Sequence, residues 1–110
     1  MISKIKEDDG RVRYDFHING KNVAYLIVRQ YSSEGDGPWI SGIYTIPGWR
    51  GYGLARKLVQ QVEEDYEGET LRLRASPYKD APKGLHELVA LYEYWGFELY
   101  DCDFRMKKEL

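Results

Sequence analysis

The run Ile46-Pro47-Gly48-Trp49-Arg50-Gly51-Tyr52-Gly53-Leu54-Ala55-Arg56-Lys57-Leu58 brings together residue types that can hold an anion. Gly51 and Gly53 let a ligand approach the backbone, and Arg50 sets a forked cationic donor beside them. If a helix opens at this turn, its first amides have no intrahelical acceptor and lie at the positive end of the helix dipole, so they can point at a phosphate. An arginine next to such amides suits a pyrophosphate better than a single carboxylate. Ala55 keeps the helix close to the preceding strand. The same glycines also serve an ordinary tight turn, and the hexapeptide taken alone is compatible with either use. Two familiar phosphate patterns do not match. Arg56 stands where the dinucleotide fingerprint has its third glycine, and no Lys-Ser or Lys-Thr follows as in a P-loop.

A second constellation is Leu91-Tyr92-Glu93-Tyr94-Trp95-Gly96-Phe97-Glu98. Within it Tyr92 shares a helical face with Leu85, Leu88 and Val89, a position that core packing accounts for. Candidate bases are Glu34 and Asp36, before the fourth strand, and His86, at the start of the second helix. Each is also an ordinary solvated side chain. The fourth strand, Trp39 to Ile46, contains no carboxylate. Cys102 is the only cysteine, which excludes an internal disulfide, and with His17 and His86 as the only histidines no metal site is expected.

The elements that position these residues follow from periodicity. Residues 2 to 6 alternate, Glu7 to Gly10 has turn composition, and Val12, Tyr14, Phe16 and Ile18 recur at period two. Asn19-Gly20 is a strong hairpin signal, because both central positions of that turn need positive φ, and Val23 to Val28 supplies the third strand. Ser32 to Gly37 reads as a polar loop, and Trp39 to Ile46 as a fourth strand that ends at Pro47. From Gly51 the period changes. Leu54, Leu58, Val59, Val62 and Tyr66 share one helical face, closed near Gly68. Leu71, Leu73 and Ala75 mark a fifth strand, Ser76 to Gly84 a loop, and Leu85 to Trp95 a second helix stopped by Gly96. Phe97 to Asp101 and Phe104 to Lys108 read as a last strand pair. The order β-β-β-β-α-β-α-β-β contains one βαβ crossover, so strands four and five are expected to be parallel.

Composition narrows the function classes. With 110 residues the expectation is one domain, residues 1–110. The 16 Lys+Arg and 18 Asp+Glu leave a net charge of −2 with no strongly basic segment, so no nucleic-acid partner is expected and any anion site must be local. The longest apolar run, Val23 to Val28, is far short of the roughly 20 residues that cross a bilayer, and Met1 to Gly10 is too charged for a signal peptide. No membrane partner and a cytoplasmic location are therefore expected. The chain is 15% aromatic, which lets a short sequence bury much apolar area. Nothing separates a monomer from a homodimer.

The segment Arg50-Gly51-Tyr52-Gly53-Leu54-Ala55 matches the [Gln/Arg]-x-x-Gly-x-[Gly/Ala] motif, and Leu91 to Glu98 resembles the Leu-Tyr-x-x-x-Gly-Phe signature, of the GCN5-related N-acetyltransferases. The resemblance covers roughly residues 39 to 106. It implies an α/β (α+β) fold of the acyl-CoA N-acyltransferase type: a mixed, mostly antiparallel sheet of six or seven strands with two helices. It also implies acetyl-CoA as co-substrate, transfer of acetyl to a primary amine by direct attack, and no metal. By the same resemblance the backbones of Tyr44 and Thr45 pair with the pantetheine arm and polarise the carbonyl. The amides of Gly51, Tyr52, Gly53, Leu54 and Ala55, with Arg50, hold the phosphates. Tyr92 is then the acid that protonates the departing sulfur.

The sequence departs from that family in three places. Most members place two helices between the first and second strands, where only Glu7 to Gly10 stands here. That implies an open acceptor side, suited to a protein lysine or N-terminus. Leu85 occupies a position where an asparagine is common, and the fourth strand lacks the acidic residue that many members carry. A non-catalytic CoA-binding or protein-interaction module on the same fold is the competing expectation.

Overall fold

The computed structural model describes residues 1–7, 9–32, 35–77 and 83–110. The elements are β1 (Ile2–Lys6), β2 (Arg11–Ile18), β3 (Lys21–Ser32), β4 (Gly35–Thr45), α1 (Leu54–Asp65), β5 (Thr70–Arg74), α2 (Leu85–Tyr94), β6 (Glu98–Leu99) and β7 (Arg105–Glu109). They form one mixed sheet of seven strands in the order β1-β2-β3-β4-β5-β7-β6, with two helices. β1 to β4 run antiparallel to their neighbours, and β4 and β5 are parallel.

Local chemistry explains the first hairpins. Asn19 and Gly20 adopt φ of 51° and 77°, the left-handed pair that lets β2 turn directly into β3. β1 pairs with β2 from Ile2 opposite Phe16 to Lys6 opposite Val12, so the interval expected to be short is a simple connection. The region read as a loop at Ser32–Gly37 differs: β3 runs to Ser32 and β4 begins at Gly35, with Tyr31 opposite Asp36. A ladder is made of backbone hydrogen bonds, so a polar, glycine-containing stretch joins it once a partner strand is alongside. The strand expected over Phe97–Asp101 shrinks to Glu98–Leu99, because only those two residues find partners on β7.

Alternation sorts the sheet into two faces. Val12 and Tyr14 of β2, Leu26 and Val28 of β3, Ile40 of β4, Leu71 and Leu73 of β5 and Met106 of β7 point to one face and are all buried. There they merge with Leu54, Leu58, Val59 and Val62 of α1 into a single cluster, against which Leu85, Val89, Tyr92 and Trp95 pack. Both helices therefore cover the same face. Lys108 ties them to the sheet by donating to Glu63 Oε2 at 2.7 Å and to the Trp95 carbonyl at 2.8 Å. Trp39 is also buried but stands outside this cluster, since its register partners, Arg29 and Arg72, lie on the opposite face.

The C-terminal end of α1 is anchored through Tyr14, whose hydroxyl donates to Asp65 Oδ2 at 2.8 Å. Asp65 also accepts from Gln61 at 3.1 Å and from Lys4 at 3.4 Å. Burial pushes the Asp65 carboxyl up, but these hydrogen bonds and the Lys4 charge outweigh it and hold the group below the usual carboxylate value. Burial first, and the hydrogen bond to Asp65 second, push the Tyr14 phenol well above its ordinary value.

Candidate active site

The parallel pairing of β4 and β5 consists of only two rungs, Trp39 with Arg72 and Ile40 with Leu73. Past Ile40 the strands part. At that point β4 carries a bulge: Ile27 faces Gly42 while Val28 faces Ile40, which leaves Ser41 as the extra residue. The Ser41 hydroxyl donates to the Ile27 carbonyl at 3.4 Å. The glycine of Ile40-Ser41-Gly42 within a strand pattern is the sequence signal that points to this bulge.

The opening between the strands is a cleft of about 850 Å³. One wall is β4 from Ile40 to Thr45, the other is Leu73, Arg74, Ser76 and Pro77, and Leu88, Leu91, Tyr92 and Trp95 of α2 close one side. In an antiparallel ladder successive residues turn their amides to opposite sides. The Ile46 amide donates to the Val23 carbonyl at 3.0 Å, so by alternation the backbone of Tyr44 faces β3 while those of Ile43 and Thr45 face the cleft. Ile43 is a position the sequence did not single out. Tyr44 contributes its ring, 5.7 Å from that of Tyr25.

The mouth of the cleft is the glycine turn. Gly48, Gly51 and Gly53 have φ of 91°, 88° and 74°, a region other residues rarely adopt. A side chain at Gly51 or Gly53 would meet nothing within 4 Å, so the conformation demands glycine while the space beside it stays open to a ligand. Gly53 caps α1 with no side-chain hydrogen bond, and the first turn carries no acidic residue. The Gly53 carbonyl accepts the Lys57 amide at 3.1 Å, leaving the amides of Leu54, Ala55 and Arg56 without intrahelical acceptors. Arg50 is held at this mouth by its own strand, its Nε donating to the Thr45 carbonyl at 3.0 Å and its guanidinium lying 5.7 Å from the Tyr44 ring. Tyr52 is 66% exposed at the tip of the turn, 5.9 Å from the Trp49 ring.

The described lining includes Arg50, Arg56, Arg74 and Lys83 and no carboxylate or imidazole, a donor set suited to a polyanion. Tyr92 reaches the cleft from α2, half-buried between Trp95 at 5.6 Å and Phe97 at 6.2 Å. Thus the structure brings Tyr44, Thr45, Arg50, Gly51, Gly53, Leu54, Ala55 and Tyr92 to one cleft, with Tyr52 beside it. His86 is exposed on the first turn of α2 and does not line the cleft, and neither does exposed Cys102. Glu34, and the side chain of Asp36, lie outside the described residues.

Residues 4–97 match the model of the Acetyltransferase (GNAT) family. The chain belongs to that family. No curated protein matches it in sequence. Among solved structures it resembles a GNAT-family acetyltransferase from Bacteroides thetaiotaomicron, with a TM-score of 0.66, 11% identity, and coverage of 92% of this chain and 62% of that one. The N-acetyltransferase YlbP of Bacillus subtilis, solved in complex with coenzyme A, gives a TM-score of 0.62 at 15% identity over 89% of this chain and 67% of that one. An acyl-CoA N-acyltransferase from Pseudomonas aeruginosa gives 0.61 at 22% identity over 89% and 68%. Identities this low carry the fold alone, and this GNAT chain spans only about two thirds of each neighbour's length. The acyl-CoA N-acyltransferase-like fold class is the one expected from the two motifs. No helix among the described residues is long and apolar enough to cross a membrane.

Proposed function

We propose that this GNAT chain, acting as one domain, transfers the acetyl group of acetyl-CoA to a primary amine on a protein, a lysine or an N-terminus. The observation that carries the reading is the abrupt end of β4–β5 pairing at Ile40–Leu73, which opens a cleft lined also by the uncapped start of α1 and by Tyr92. The amides from Gly51 to Ala55 hold the pyrophosphate with Arg50 adding its charge, and the pantetheine arm extends the sheet along Ile43 to Thr45. Backbone amides of that strand polarise the thioester carbonyl. The neutral amine attacks the carbonyl carbon, the new C–N bond forms as the C–S bond breaks, and Tyr92 donates its proton to the departing sulfur, which leaves more easily as a thiol. The surplus proton on the new amide nitrogen passes through water to restore the Tyr92 phenol. The incoming ammonium first loses a proton, to water or to a loop carboxylate. Turnover therefore rises with pH toward the acceptor's own value, about 10.4 for a lysine and about 8 for an N-terminus.

The side of the sheet that carries no helix among the described residues supports a protein acceptor over an enclosed small amine. The test is a calorimetric titration of acetyl-CoA and of acetyl-pantetheine, which lacks the pyrophosphate, against wild type and Arg50→Glu. The expected result is binding that requires the pyrophosphate and weakens about tenfold in the variant. Equal affinity for the two ligands overturns the site. Pyrophosphate-dependent binding without turnover on any amine would favour a non-catalytic CoA-binding module.

A further inference from the structure

Both helices pack on one face of the sheet, and the other face carries no helix among the described residues. On that face the register lines up Arg11, Arg29, Trp39, Arg72, Lys107 and Glu98 in one row across six strands. Cross-strand partners share a face, and like charges directly opposite destabilise a sheet. This row holds two such pairs, Arg11 with Arg29 and Arg72 with Lys107, in a chain whose net charge is −2. Arg11 is compensated by Asp9 at 2.6 Å and by Glu7 at 3.4 Å. Among the described residues Arg29 and Arg72 have no ion pair. They stand either side of Trp39, roughly 9.6 Å apart by two strand spacings. The Trp39–Arg72 rung is the one before the last pair ahead of the gap, so Arg72 and, across Trp39, Arg29 stand near the end of the paired stretch, on the face opposite the core.

We propose that this helix-free face docks an acidic polypeptide segment, with carboxylates near the acceptor amine taken up by Arg29 and Arg72. The inference rests on the acetyltransferase reading and names its acceptor class. Guanidinium forks match carboxylates in paired geometry, and two of them one residue short of the gap select for acid beside the amine. Arg11 is offset by its two carboxylates and Lys107 faces Glu98 across the sheet, so Arg29 and Arg72 are the cations of the row that an incoming carboxylate would neutralise.

The test uses two fluorescein-labelled peptides with one central lysine, flanked by aspartates and glutamates in one and by glutamines and lysines in the other. Anisotropy and acetyl transfer are measured with saturating acetyl-CoA for wild type, Arg29→Gln, Arg72→Gln and the double variant. The acidic peptide binds about tenfold tighter than the basic one, the preference fades with salt, and the double variant abolishes it while acetyl-CoA affinity is unchanged. Removing like-charge pairs leaves the melting temperature equal or higher. If Arg72→Gln does not fold, Arg29→Gln on its own carries the comparison. Equal binding of the two peptides, an unchanged preference in the variants, lower melting temperatures in both, or tighter binding of single-stranded DNA each overturn the proposal. Arginine-dependent binding of the acidic peptide with no transfer upholds the docking face and removes the acetyltransferase reading. Transfer with a preference for the basic peptide does the reverse.

Discussion

The two ends of α1 are built in opposite ways. At its C-terminal end the helix is tied down by side-chain hydrogen bonds: Asp65 accepts from Tyr14, Gln61 and Lys4, and the Tyr66 amide returns to the Val62 carbonyl. At its N-terminal end Gly53 offers no cap, the first turn holds no carboxylate, and the adjoining glycines sit in backbone conformations with open space beside them. One element thus secures the fold with one end and leaves donors for a ligand at the other. Saturated hydrogen bonding marks the part of the molecule that holds shape, and unsatisfied amides mark the part that acts.

The contrast is broken most severely at the anchored end. Tyr14→Ala removes a fully buried ring and is expected to cost about 3–5 kcal/mol in a urea melt, while the folded fraction keeps its acetyl-CoA affinity. At the other end Tyr92→Phe should lower kcat about a hundredfold or more with acetyl-CoA binding retained, measured by steady-state kinetics and calorimetry. Gly53→Ala forces a side chain into a left-handed conformation and should cost about 1–2 kcal/mol while weakening acetyl-CoA severalfold, the signature of a ligand-facing cap. Tyr14→Phe keeps the packing and loses one hydrogen bond, about 1 kcal/mol, with kinetics unchanged.

The smallest effect is in pH. The Asp65 carboxyl is lower in the folded than in the unfolded chain, so its contribution is present above the ordinary value of 3.8 and is lost as pH falls through the lower folded value. The Tyr14 phenol is raised, so its contribution is present below 10.0 and is lost as pH rises beyond that. Asp65→Asn should flatten the acid limb of a melting-temperature profile. An unaltered limb would show that the carboxylate is not what anchors this end.

Much of this was legible in single stretches of sequence because its causes are local. Asn19-Gly20 specifies a turn through its own φ angles, and the spacing Leu54, Leu58, Val62 specifies a helix face. The stretch Arg50 to Ala55 announces a turn that opens onto a helix start. The ends of strands were less legible, as at Gly35 and Leu99, because pairing depends on a neighbour distant in sequence.

By itself the sequence determined the order of elements and the residue types at the glycine turn, since each rests on steric limits and periodicity within a few residues, and its two motifs carried the resemblance to the family. Only the tertiary structure decided that β4 and β5 part after two rungs, that Ser41 bulges, and that Ile43 rather than Tyr44 turns its backbone into the cleft. It alone put Arg29 and Arg72 in one row around Trp39. Register and divergence are set by how whole strands pack against the shared core, and residues 43 positions apart acquire a common face only once that packing is complete.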